Sequence, residues 1–422
     1  MPIPLQRQND EPFLREVRLF IEEICCNLLR LRYAKDYGVD PKDVRIKQEC
    51  SLGGPNASAD IRIEVKGGPV HFIEVDYGYS PSQTITSLTR KYARGSLMDG
   101  ASKVVVVGDG KQASHWSEID SQVRPVLPAG VDLEFWDETR LLSMLHETFG
   151  VEISCICEAD IANLRRAIDV AEGQHAFEDT WSGDNLQSTL TWHYGFWELR
   201  RLRQSYGLTP PDLLPPGMYS RVVTVMADLC SFSSYVKETK EDSVIRHCLT
   251  MFYSKARSAI LNTGGMMYQF VGDEVIGLYG IPDQPDGYLE AAFDCAKSLA
   301  DIGNSVSRKW QRELDSAQKS HGVHIGICMG SMQVVPLRPF SRTHISGIGD
   351  VINLAARLLT DAGPGQVVAS NGYYQALAPE YQAAFRESEP VEAKNIGTVL
   401  AWKADLNVPA AQPASLTAEP VS

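Results

Sequence analysis

The chain has 422 residues, 44% of them hydrophobic and 22% charged, and a formal net charge of −13. That length supports two or three domains with cores of their own, and the acidic balance argues against passive adhesion to nucleic acid or anionic lipid. No run approaches the roughly 18 apolar residues of a membrane span, Met1 to Glu11 lacks the charged-then-apolar order of a secretion signal, and the nine cysteines show no zinc spacing, so a cytoplasmic protein without membrane insertion is expected.

In chain order, amphipathic periodicity predicts a helix over 11–33, then strands near 44–48, 59–65 and 70–75, a helix near 83–93, a buried strand at 103–107, a segment around Trp116, a strand at 131–136 and a helix at 138–149. Residues 1–155 read as one α/β domain. Residues 156–218 read as a helical stalk ending in a linker, because the four prolines between Thr209 and Gly217 interrupt any helix and favour extended backbone. A second domain over 219–405 follows, with a strand at 221–227, a helical region at 234–261, a hairpin at 266–280, a helix at 287–316, a strand at 322–328, a helix at 350–360, a strand at 366–370, a helix at 371–378 and a strand at 398–403. This order predicts a ferredoxin-like α/β arrangement with additions. Residues 406–422, rich in Pro and Ala with few large apolar groups, are expected to be disordered.

Three stretches of the second domain carry chemistry. Asp228 closes an apolar strand, Gly272-Asp273-Glu274 makes a hairpin turn 273 − 228 = 45 residues later, and Asn353 stands four residues before Arg357 on one helix. Aspartate is common as a helix cap and in turns, and a polar pair is common on a helix's solvent face. Together, however, two carboxylates at one sheet edge can hold two divalent metals, while an amide and a guanidinium on one helix face suit a ribose and a charged phosphate. The chemistry that follows is cyclisation of a nucleoside triphosphate.

From Val222 to Trp402 the chain resembles a class III nucleotidyl cyclase catalytic domain. Ala227-Asp228-Leu229-Cys230-Ser231-Phe232 resembles the first metal loop, Phe270-Val271-Gly272-Asp273 the second metal turn, and Gly349-Asp350-Val351-Ile352-Asn353-Leu354-Ala355-Ala356-Arg357 the helix motif. The resemblance implies metal ligands at Asp228, Leu229 and Asp273, magnesium or manganese as the two ions, and a head-to-tail homodimer. In that dimer Asn353 of the second subunit orients the ribose and its Arg357 stabilises the transition state. The two positions that select adenine or guanine in the family hold Gln269 and Ser346, which spell neither purine code, and Tyr268 beside them either narrows the pocket or packs as an ordinary strand residue. The pattern is most similar to the pyrimidine cyclases of bacterial Pycsar anti-phage systems, implying UTP or CTP as substrate and an effector reached through the cyclic product. ATP cyclisation, a catalytically dead nucleotide-binding regulator and a nucleic-acid-cleaving first domain are the alternatives. A phosphate-binding lysine of some relatives is replaced by Gln366, leaving Arg221, Lys255 and Arg257 as anchor candidates.

The order of elements over 11–107 resembles restriction-endonuclease-like nucleases. Asp60 and Glu74 lie where that fold carries its metal carboxylates, but Asp76 stands where an active nuclease of that type carries lysine. A third carboxylate beside a phosphodiester opposes cleavage, although Lys91 on the following helix could take the cation's role. A degenerate, non-catalytic sensing or regulatory domain is expected.

Overall fold

The computed structural model describes residues 6–54, 57–93, 98, 100–152, 156, 158–314, 318, 320–337, 342–393 and 397–406. All but Leu406 of the tail, together with Cys155 and Cys157, lies outside these residues. The fold is mixed α/β, with two principal sheets.

In the first half, helix α1 (Gln6–Tyr37) precedes strands β1 (Val44–Ser51), β2 (Ser58–Val65) and β3 (Val70–Val75). Helix α2 (Pro81–Tyr92), strand β4 (Ala101–Val107), α3 (Trp116–Val123), β5 (Asp132–Trp136) and α4 (Glu138–Phe149) follow. The sheet order is β1-β2-β3-β4-β5, antiparallel through β3 and parallel thereafter. Every residue of β3 is buried because apolar layers cover both faces: α1 and α4 pack on one, α2 and α3 on the other. Ser80 caps α2 in a reciprocal box with Gln83, and Pro81 at the first turn fixes its start two residues before the predicted one.

Helices α5 (Glu158–Phe177), α6 (Asn185–Tyr194) and α7 (Phe196–Tyr206) occupy the stretch read as a stalk. They do not stand free. Phe177, Leu190, Tyr194, Phe196, Leu199 and Leu202 are buried in the core of the second sheet, and Arg201 pairs with Asp283 at 3.0 Å. The Pro-rich stretch is also anchored, with Leu213 and Leu214 buried.

The second half contains β6 (Gly217–Leu229), α8 (Phe232–Glu238), α9 (Asp242–Asn262), β7 (Met266–Val271), β8 (Glu274–Tyr279), α10 (Tyr288–Leu314), β9 (Val323–Leu337), β10 (His344–Ile348), α11 (Asp350–Thr360), β11 (Gln366–Ser370), α12 (Asn371–Ala376), α13 (Pro379–Gln382), β12 (Arg386–Glu387), β13 (Val391–Ala393), β14 (Gly397–Val399) and β15 (Ala401–Asp405). The large sheet runs β12-β15-β11-β9-β6-β8-β7, and β10 folds back on the distal half of β9. In that half of β9 only Met332 and Val334 are buried, and in β10 only Ile345, so each carries too short a buried pattern for the sequence to have predicted either. The single strand expected at 398–403 is two, β14 and β15, broken at exposed Leu400.

Small residues set the helix positions. Gly277 faces Ile260 of α9 and Gly303 of α10 faces Val323, placing both helices on one face. Gly326 lies under the Ala355 carbonyl and the Leu359 backbone of α11, so any side chain there would collide with the helix on the opposite face.

Candidate functional site

Strand pairing puts Asp228 opposite Glu274 on one side and His324 on the other. Directly opposed residues in antiparallel strands share a face, so Asp228 points to the α11 face, the same face as Met226 and Gly326. The β7–β8 turn needs a positive φ at Gly272 (64°), and the Tyr253 hydroxyl donates to the Gly272 carbonyl. Asp273, next in the chain, is thereby brought into hydrogen-bond contact with Asp228. Burial and the neighbouring Asp228 carboxylate push the Asp273 carboxyl up to about 7, while burial also raises Asp228 against the bond from Asp273.

Neither aspartate is serving as a helix cap. The cap of α8 is Ser231, in a left-handed conformation (φ 61°), with Ser231 Oγ 2.6 Å from Ser320 Oγ. The Leu229 side chain is buried on the other face of the sheet, leaving only its main-chain atoms for a ligand. The Cys230 N–H donates to the Gly322 carbonyl at 3.0 Å, which ties the loop to the start of β9.

Helix α11 buries Val351, Ala355, Leu358 and Leu359 against the sheet. Asn353 and Arg357 are exposed one turn apart on its outer face, as the four-residue spacing predicts. Among the described residues neither has a hydrogen-bond or ion-pair partner.

Tyr268 is the extra residue of a bulge: Met267 pairs with Gly277 and Gln269 with Ile276, so Tyr268 is skipped. The bulge turns its half-buried side chain toward β10, where its hydroxyl oxygen accepts from the Gly347 N–H at 2.9 Å. Partly exposed Ser346 is therefore beside Tyr268, and Gln269 remains exposed on β7.

The candidate phosphate anchors are elsewhere. Lys255 is fully buried and paired with Glu22 at 2.6 Å and with Glu49; burial works to lower its pKa, but these carboxylates outweigh it and hold the ammonium above its ordinary value. Arg257 donates to the Trp192 and Thr191 carbonyls at 3.1 and 3.2 Å and lies over the Trp192 ring. Arg221 sits at an irregularity seven residues before Asp228, at the far end of the pairing with β8. The Gln366 side chain is held by Asp405 at 2.6 Å and Gly363 at 3.0 Å.

In the first domain, Asp60 accepts from the Val75 N–H at 2.8 Å, and Lys91 of α2 donates to Asp60 at 3.1 Å and to Glu74. Tyr92 donates to the other Glu74 oxygen at 2.5 Å. Burial pushes Glu74 up to about 8 with Lys91 opposing, and burial pushes Asp76 up to about 7. Lys91, from the following helix, thus sets its ammonium between Asp60 and Glu74. Among the described residues no three His, Cys, Asp or Glu side chains form a ready cage for a metal ion.

No helix is long and apolar enough to cross a membrane, among the described residues. No family model matches the chain, and no curated protein matches it. Among solved structures it is similar to the guanylyl cyclase Cya2 (21% identity, TM-score 0.40, covering 45% of this chain and 94% of that one). It is also similar to the adenylyl cyclase CyaB from P. aeruginosa (18%, 0.37, covering 45% and 96%) and to a bacterial light-regulated adenylyl cyclase (13%, 0.40, covering 65% and 69%). Identities and TM-scores this low leave the functional reading to the residues themselves.

Proposed function

We propose that the chain is a nucleotidyl cyclase of the class III kind, converting UTP or CTP to the 3′,5′-cyclic monophosphate and pyrophosphate. The observation that carries the reading is the Asp228–Asp273 contact at one strand end, with no lysine or arginine among the described residues to neutralise it. Two side-by-side carboxylates with no cation beside them among the described residues fit hard divalent ions through oxygen ligands. Asp228, Asp273 and a main-chain atom of Leu229 would hold two such ions, Mg²⁺ or Mn²⁺, which when bound supply the charge that acidifies the ribose 3′-hydroxyl and neutralises the phosphates.

The rest is work for the chain's own groups. Asn353 offers an amide to the ribose, and Arg357 offers a guanidinium to the charge developing on the transferred phosphate. Both are exposed on the outer face of α11 with no partner among the described residues, and in this reading a second copy brings them to the acidic pair. The arm made by β10 and the ends of β6 and β9 supports that arrangement, since Met218, Leu337 and Ile348 are exposed apolar residues on it. A two-fold homodimer with two composite sites follows.

The bulged Tyr268, bound to Gly347, closes one side of the base pocket beside Gln269 and Ser346, which favours a single-ring base. A pyrimidine product fits a second messenger of Pycsar anti-phage defence, read by an effector that binds cyclic nucleotides. The test is incubation of the purified protein with Mn²⁺ or Mg²⁺ and ATP, GTP, CTP or UTP separately, with products read by mass spectrometry. A cyclic pyrimidine product is expected; preference for ATP would return the chain to the adenylate alternative, and no cyclic product from any of the four would end the cyclase reading.

A further inference from the structure

A cavity of about 820 Å³ lies where three parts of the chain meet: α1 and β1 of the first domain, α5 and α6, and α9 with β7 of the second. Ring faces and edges line it, from Phe20, Trp181, Trp192, Trp197 and Phe270. Into it faces Gln48, 5% exposed, whose side-chain oxygen has no hydrogen-bond partner among the described residues. A buried acceptor without a donor is costly, and a donor brought by a ligand removes that cost. Glu172, 7% exposed, adds a second acceptor; one of its oxygens receives the Asn27 amide at 2.5 Å. The wall's formal charges balance, Glu23, Asp169 and Glu172 against Arg165, Arg166 and Arg257, and burial works against ionisation of all three acids, so no excess of negative charge calls for a cationic occupant.

We propose that this cavity binds a planar nitrogen heterocycle of nucleoside size, its ring stacked on the aromatic wall and its N–H edge donating to Gln48 and Glu172. The site is separate from the acidic pair but mechanically joined to it. Phe270 stacks on Tyr253 with centroids 4.3 Å apart, and Tyr253 holds the carbonyl of Gly272, the residue before Asp273. An occupant pressing on Phe270 therefore acts on the turn that places Asp273; this second half rests on the cyclase reading, whereas the binding half does not.

Three of the chain's seven tryptophans line the cavity, so binding is read by quenching of intrinsic fluorescence. The probes are adenosine, guanosine, cytidine and uridine, titrated separately into the full-length protein without metal. At least one should quench saturably, and Gln48→Leu should weaken that binding by about tenfold. Glu172→Leu, which removes the second acceptor, serves as the second variant should Gln48→Leu not fold, and the same loss is expected. Binding should persist in Asn353→Ala, which impairs the proposed ribose contact. Absence of saturable quenching by all four nucleosides, full affinity in the Gln48 and Glu172 variants, or loss of binding in Asn353→Ala would each overturn the site. If binding is seen but the nucleoside leaves cyclisation unchanged in a protein that makes cyclic product, the coupling through Tyr253 is refuted and the binding site stands.

Discussion

Asp60 with Glu74 in the first sheet, and Asp228 with Asp273 in the second, are both carboxylate pairs carried by elements of one sheet. In the first, α2 delivers Lys91 between the acids, and Tyr92 and the Val75 N–H take up further oxygens. In the second, no described cation approaches, and the two acids contact each other. The same residue type is paired with an internal cation in one place and, among the described residues, has none beside it in the other. What separates them is the element that follows: a helix whose last turn carries lysine after β3, a bare two-residue turn between β7 and β8. On the proposed reading, acidic residues at strand ends mark a cation site only where the surrounding fold withholds a cation of its own.

The largest effect should come from the open pair. Asp273→Ala is expected to cut cyclisation by at least about 10²–10³-fold, the scale of losing a principal electrostatic contributor to a transition state, measured as cyclic product formed with Mn²⁺. Glu74→Gln should leave the same assay unchanged; a comparable loss there would erase the distinction between the pairs. Conversely, Lys91→Met removes the internal cation and strands two acids in the first core. It should cost roughly 3–5 kcal/mol in urea denaturation, and adding Glu74→Gln should recover part of that loss.

Asp76 sharpens the contrast through pH. Burial raises its folded-state pKa to about 7 from 3.8, so between those values the native chain keeps a proton that the unfolded chain has released. Stability from this group therefore falls as pH rises through that window, by an amount on the order of 2–4 kcal/mol. Asp76→Asn should remove that slope and be more stable than the parent at pH 8, read as the difference in unfolding midpoint between pH 5 and pH 8.

The smallest signal tests the two-fold arrangement. Asp273→Ala and Arg357→Ala proteins, each inactive alone, should on mixing regain about one quarter of parental activity, because half the dimers are mixed and each has one intact site of two. No recovery after subunit exchange, verified by tagged pull-down, would place both functional groups in one chain's site.

The residue types of the second domain were legible because their chemistry depends on local spacing. Asn353 and Arg357 share a helix face by periodicity alone, and Gly272 announces a turn by its freedom at positive φ. The strands β6, β7, β8 and β11 follow from apolar alternation or runs bounded by turn residues. The helices over 158–206 were legible as helices, but their docking was not, since periodicity shows that a face is apolar and not what covers it. The distal half of β9 with β10 was not legible because its buried positions, Met332, Val334 and Ile345, are too few to make a pattern that stands out from a loop.

By itself the sequence determined the α/β character of both halves, the turn and helix that carry Asp273, Asn353 and Arg357, and the presence of two acidic pairs. Tertiary structure decided which pair stays open, that Lys255 and Arg257 stabilise junctions rather than meet phosphate, and that Gln48 faces a cavity between domains. The division has a physical reason. Helix faces and turns are set by interactions within a few residues, whereas neutralisation, burial and cavities depend on side chains brought together from distant parts of the chain, as with Glu49 and Lys255.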